Sequence, residues 1–84
     1  MSAAAISAEI PFDRVYDASG LLCPMPVLRA NRVLRELASG QVLKVIATDP
    51  AASQDFPSFC RQTGHELVAA ETDGAALIFL IRKA

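Results

Sequence analysis

Two prolines one residue apart, Pro24 and Pro26, fix where a helix can begin in this chain. Inside a helix, proline removes a backbone donor and clashes with the preceding turn; in the first turn it removes only a donor that had no partner. The residues that follow have helical period. Val27, Ala30, Val33, Leu34, Leu37 and Ala38 fall on one stripe at about 100° per residue, and Arg29, Arg32, Arg35 and Glu36 fall opposite. The spacing predicts a helix opened by Cys23-Pro24-Met25-Pro26 and stopped at Gly40. Leu28 lands among the arginines, away from the apolar stripe.

The other elements follow from the same punctuation. Arg14-Val15-Tyr16-Asp17 is short and β-prone, and Ala18-Ser19-Gly20 breaks it as a turn. Val42 to Ala47 is a β-branched run, with Leu43, Val45 and Ala47 on one face and Val42, Lys44 and Ile46 on the other. Asp49-Pro50 reads as an N-cap followed by proline at N1. Pro57 disturbs the helix that should follow, so a short turn over 50–54 and a helix restarting near Pro57 are expected. Phe56, Phe59, Cys60 and Thr63 share one face of that piece, and Gly64 ends it. Glu66–Thr72 and Ala75–Lys83 are two further strands, with Asp73-Gly74 between them signalling a type I′ hairpin.

The order β-α-β-α-β-β predicts an α/β fold: a two-layer α/β sandwich in which two helices cover one face of a four-stranded mixed sheet. The uncovered face, carrying Val42, Ile46 and one side of the last strand, then predicts either a partner or a modest dimer surface. The 84 residues, 52% of them apolar, suit one domain over 13–84 with a flexible tail over 1–12. Such a composition excludes a disordered chain, and 2 cysteines exclude a disulfide scaffold. Eight basic against nine acidic residues, net −1, argue against stable nucleic-acid binding. No apolar run approaches the roughly 20 residues that span a bilayer. The Ala-rich start lacks a basic n-region and is interrupted by Glu9, so no secretory signal is expected and the protein reads as cytoplasmic, its thiols reduced.

The chemistry concentrates around Cys23. Helix N-termini lower thiol pKa values, the three arginines of the same helix add positive field, and Pro24 and Pro26 stiffen the turn while leaving the Met25 N–H free to point at the sulfur. These residues alone leave Cys23 open between a reactive thiolate and the inert small hydrophobe that free cysteines usually are. Cys60, beside Phe56 and Phe59, reads as core. No short paired spacing supports zinc, no C-x-x-C supports a redox pair, and neither a metal nor a cofactor is expected. His65 at a strand start reads as exposed rather than as a base. Asp17 reads as an Asx-type cap of turn amides, since a carboxylate beside the thiol raises its pKa rather than activating it.

The stretch Asp17…Gly20-Leu21-Leu22-Cys23-Pro24-Met25-Pro26 resembles the signature of the TusA/SirA-like sulfur-carrier family. The resemblance continues through Thr48-Asp49-Pro50-Ala51, Asp55-Phe56-Pro57-Ser58-Phe59-Cys60, His65-Glu66-Leu67-Val68, Glu71-Thr72-Asp73-Gly74 and Leu80-Ile81-Arg82-Lys83, and the later segments look most like the family's TusA branch. It implies the same β-α-β-α-β-β fold. It also implies a sulfurtransferase that receives persulfide sulfur from a cysteine desulfurase on Cys23 and hands it to a downstream relay protein, leading to 2-thiouridine at the tRNA wobble position. Similar carriers feed sulfur oxidation, molybdenum-cofactor synthesis or selenium metabolism. The resemblance makes Asp17, Gly20, Pro24 and Pro26 supports of the active turn. Leu22, Met25, Leu28, Arg29, Arg32 and Asp49 would face partners. The chain departs from the common pattern at Leu22, Asn31 and Gln54, where basic residues are common, and at Met25, where an acidic or polar residue is frequent. Two other classes stand beside this one: a non-enzymatic regulatory or interaction module, and an RNA-binding domain, against which the net charge argues.

Overall fold

The computed structural model describes residues 10–84, so the expected tail lies outside the described residues as far as residue 9. The element order is β1 (Arg14–Ala18), α1 (Met25–Arg35), β2 (Val42–Ala47), α2 (Ala52–Thr63), β3 (Glu66–Asp73) and β4 (Ala76–Arg82). The sheet runs β1-β2-β4-β3, with β1 parallel to β2 and β4 antiparallel to both of its neighbours. This is the mixed four-stranded sheet with two helices that the punctuation predicted.

Alternation along β2 sets the two layers. Leu43, Val45 and Ala47 join Ala30 and Leu34 of α1, Ala52, Phe56, Phe59 and Cys60 of α2, and Phe79 and Ile81 of β4 in one core. Phe56 stacks on Phe79 with ring centroids 4.6 Å apart and meets Phe59 edge-on at 6.5 Å. Fully burying an aromatic or leucine side chain stabilises a fold by about 1.5–3 kcal/mol. That gain explains a departure from expectation: α2 runs unbroken through Pro57 instead of restarting there. The proline ring costs the helix one donor, but the carbonyl it leaves without that donor belongs to Ser53, on the exposed side of the first turn.

The end of α1 and the last hairpin also differ from the sequence reading. Helix α1 ends at Arg35, not at Gly40, and Ala38 is exposed. Its last turn tightens through the Glu36 N–H to Val33 O and Leu37 N–H to Leu34 O bonds. Lys83, arriving from β4, donates its Nζ to Leu34 O at 2.7 Å and Leu37 O at 3.0 Å, satisfying carbonyls that a longer helix would use. Gly40 meanwhile donates to Lys83 O, already alongside the C-terminal strand. In the hairpin, Asp73 pairs with Ala76, so the turn residues are Gly74 and Ala75. Only Gly74 has positive φ (61°), which fits a II′ pattern with glycine first; type I′ needs positive φ at both positions.

The face opposite the helices is less bare than expected. Val42 and Leu80 are buried there, Ile46 is half-buried, and Arg82 of β4 pairs with Glu66 of β3 at 2.6 Å. Lys44 Nζ lies 5.1 Å from the centroid of the Phe12 ring.

Candidate functional site

The β1–α1 connection and the β2–α2 connection meet at the ends of two parallel neighbours, β1 and β2. Three hydrogen bonds shape the first connection. Ser19 N–H donates to Asp17 Oδ1 at 2.9 Å, the Asx-type cap expected of that residue. These bonds with Ser19 hold the Asp17 carboxyl below its ordinary value. Gly20, at φ +82°, takes a conformation that a residue with a Cβ adopts only under strain, and its N–H donates to Thr48 Oγ1 at 2.9 Å. Cys23 N–H donates to Asp49 Oδ2 at 2.6 Å. The other oxygen of Asp49 accepts from Ala51 N–H at 3.1 Å, closing the turn that leads into α2. Asp49 therefore caps a turn before the helix, whose N-cap is Ala51, and one carboxylate braces two connections.

This bracing leaves the Cys23 side chain exposed. Pro24 is the N-cap of α1 and is exposed, while Pro26 is buried under the turn. Leu22 and Leu28 are 70% and 54% exposed, Met25 is half-buried, and Arg29 and Arg32 are exposed. Among the described residues Arg29, Arg32 and Arg35 enter no ion pair; the pairs there are Arg14–Glu36 and Arg82–Glu66.

The electrostatics correct the sequence reading. Met25 N–H is taken by Leu22 O at 2.9 Å and does not serve the sulfur. The Cys23 thiol is pushed above its ordinary value, not below it. The Asp55 carboxylate is the largest cause, followed by loss of solvation and the charge of Asp49. A carboxylate disfavours the charged form of a neighbouring thiol. Asp55 escaped the sequence reading. The available signal was its position six residues after Asp49, in the first turn of the helix that the Asp-Pro pair announces.

The remaining candidates lie elsewhere. Cys60 is 5% exposed, and burial pushes its thiol up. His65 is half-buried rather than exposed: its Nδ1 accepts from Ala84 N–H at 3.0 Å and its ring lies 5.8 Å from that of Phe59. It follows the C-terminus of α2, whereas Cys23 sits by the N-terminal side. A helix of this length separates its ends by about 18 Å, so His65 is no base for Cys23. No group of three or more potential metal ligands occurs among the described residues, and no helix there is long and apolar enough to cross a membrane.

The family model described as Sulfurtransferase TusA matches residues 14–83. The Sulfur carrier protein TusA of Allochromatium vinosum is 53% identical over 72 residues, covering 86% of this chain and 95% of that protein. The protein of the same name from Pseudomonas paraeruginosa is 47% identical over 73 residues, covering 87% and 92%. Among solved structures, a SirA-like protein from Desulfitobacterium hafniense superposes with a TM-score of 0.74 at 28% identity, covering 83% of this chain and 96% of that one.

Proposed function

The chain belongs to the TusA sulfurtransferase family, and from that premise we propose that its domain, residues 13–84, carries sulfur on Cys23 in the cytoplasm. The donor is the persulfide of a cysteine desulfurase. The Cys23 thiolate attacks the terminal sulfur; a new bond forms from Cys23 Sγ to that sulfur, the donor's S–S bond breaks, and the donor cysteine leaves as a thiolate. Cys23 then bears the S-SH group. An acceptor cysteine on a downstream relay protein attacks the outer sulfur in turn and displaces Cys23 as a thiolate. The sequence is redox-neutral and asks for one cysteine, which agrees with a buried Cys60. By family likeness the sulfur is destined for 2-thiolation of the tRNA wobble uridine.

The observation that carries this reading is an exposed thiol on a turn pinned at Gly20 and Cys23 by the β2–α2 connection. A fixed, protruding sulfur meets the access requirement of exchange chemistry. Leu22 and Leu28, exposed beside it in sequence, offer apolar contact to a partner, with Met25, Arg29 and Arg32 on the same helix and Asp49 at the facing connection. Intact-mass spectrometry after incubation with a cysteine desulfurase and cysteine tests it. One added sulfur, mapped to the Cys23 peptide, is expected; sulfur on Cys60, or none, overturns the assignment.

A further inference from the structure

Strands β1 and β2 end level, with Ala18 opposite Ala47 in the parallel register. Past that row the β1 chain reverses through a turn closed by Leu21 N–H to Ala18 O at 3.1 Å. Gly20, its third residue, has φ +82°, as in a type II turn. The closing bond uses the N–H of the fourth residue, so the second and third must find other acceptors. Ser19 N–H finds Asp17 Oδ1 within the same connection. Gly20 N–H reaches outside it, to Thr48 Oγ1 at 2.9 Å. Thr48 is exposed, follows directly on β2 and has no part in the core. The second bond from outside falls on Cys23 itself, from its N–H to Asp49 Oδ2 at 2.6 Å. Consecutive residues of the β2–α2 connection thus hold the turn at two points three residues apart. A segment held at one point swivels about it; held at two, it has a direction.

Resting on the reading of Cys23 as the sulfur acceptor, we propose that Thr48 is a positioning residue for sulfur transfer: its hydroxyl oxygen, by holding Gly20 N–H, sets the direction in which the Cys23 sulfur points, while Asp49 sets its place. Thr48 acts in this role through the backbone from Gly20 to Cys23. The attacking sulfur must line up with the S–S bond that breaks, so a partner that presents its persulfide in a fixed pocket is sensitive to direction. A small reagent in solution approaches from any open side and responds only to the access and ionisation of the thiol. Misplacing a reacting group by about 1 Å can cost about 10²-fold in rate, so slackening one of two anchors should slow transfer several-fold without abolishing it. The fold survives the loss, because Thr48 packs against none of the core.

The test compares the full chain as wild type, Thr48→Val and Thr48→Ser. Valine keeps the branched shape and removes the acceptor; serine keeps the acceptor. Single-turnover loading from a persulfide-bearing cysteine desulfurase is measured beside iodoacetamide alkylation of Cys23, read by peptide mass across pH, and beside amide exchange of Gly20 by NMR. In Thr48→Val, loading at saturating desulfurase should slow several-fold while the half-saturating concentration and the alkylation profile stay as in the wild type. The Gly20 amide should exchange several-fold faster. Thr48→Ser should recover both loading and exchange. Wild-type loading in Thr48→Val overturns the proposal. So does equal slowing of loading and alkylation, which puts the effect on the thiol and not on its direction, and so does a Thr48→Ser protein that fails to recover. Absence of sulfur on Cys23 in every protein, wild type included, defeats the carrier reading instead; Gly20 exchange then still decides whether Thr48 holds the turn, and an unchanged rate in Thr48→Val denies it.

Discussion

Cys23 and Cys60 both lie against α2, one beside its N-terminal turn and the other on its inner face near the C-terminus. Both thiols are held above their ordinary value, for different reasons. Cys60 is desolvated by the core it helps to form, beside Phe56 and Phe59. Cys23 is exposed and opposed by carboxylates. Burial in a close-packed core cannot be lifted without opening the fold, whereas a carboxylate can be neutralised by whatever docks beside it. Access and reversibility, not the direction of the shift, separate a reagent from a packing residue.

The strongest test of that contrast exchanges sulfur for oxygen at each position. Cys23→Ser should lose all sulfur acceptance from a desulfurase, read by intact mass, while folding like the wild type because the side chain is exposed. Cys60→Ser should keep most of the acceptance but lose about 1–3 kcal/mol of stability, since it places a hydroxyl in an apolar site. Retained loading in Cys23→Ser would break the comparison outright. Next in size is Phe56→Ala. Removing a fully buried ring that stacks on Phe79 should cost about 3–5 kcal/mol, a large part of a small domain's stability. Denaturant melts should show it, together with loss of protection at Cys60 against alkylation.

The architecture was legible because its signals are local. Proline positions, β2 alternation, Gly64 and the Asp-Gly pair each act within a few residues, and together they gave the order of the elements. Misreadings arose where a distant residue decided the outcome. Lys83 ends α1 early from 46 and 49 positions away. Core burial of Phe56 and Phe59 overrides Pro57. The hairpin moved by one residue because pairing along β3 and β4, with its irregularity between Leu67 and Ala69, sets the register, and the Asp-Gly pair does not. At the site, the Asp17 cap was readable from the turn itself, whereas the turn left Cys23 open between an exposed thiolate and a packed hydrophobe until the structure showed it exposed. The sign of the shift on Cys23 was not readable there, because its largest cause, Asp55, stands 32 positions further along the chain.

Asp49 joins the two connections, so its removal sharpens the difference between bracing and charge. Asp49→Ala leaves the amides of Cys23 and Ala51 without their acceptor and should cost about 1–2 kcal/mol. It should also slow sulfur acceptance through a loosened turn, although it removes a charge that opposes ionisation. Asp49→Asn keeps an acceptor and should recover most of both. If Asp49→Ala instead accelerates acceptance, charge outweighs bracing at this residue.

The smallest effect belongs to the far end of α2, where there is no chemistry to lose. Burial, and then the charge of Lys83, hold the His65 imidazole below its ordinary value. The folded chain therefore favours the neutral ring, and as pH falls the unfolded chain takes up the proton first. Stability linked to His65 is whole above about pH 6.5 and declines as pH falls through the lower folded value. Thermal melts from about pH 7.5 to about pH 5.5, above the range where free carboxylates titrate, should show a shallow loss. His65→Gln, whose amide oxygen can still accept the Ala84 N–H, should flatten it while leaving sulfur acceptance on Cys23 unchanged. Equal slopes in the two proteins would move the pH sensitivity elsewhere, and slower acceptance would mean that the two ends of α2 are coupled.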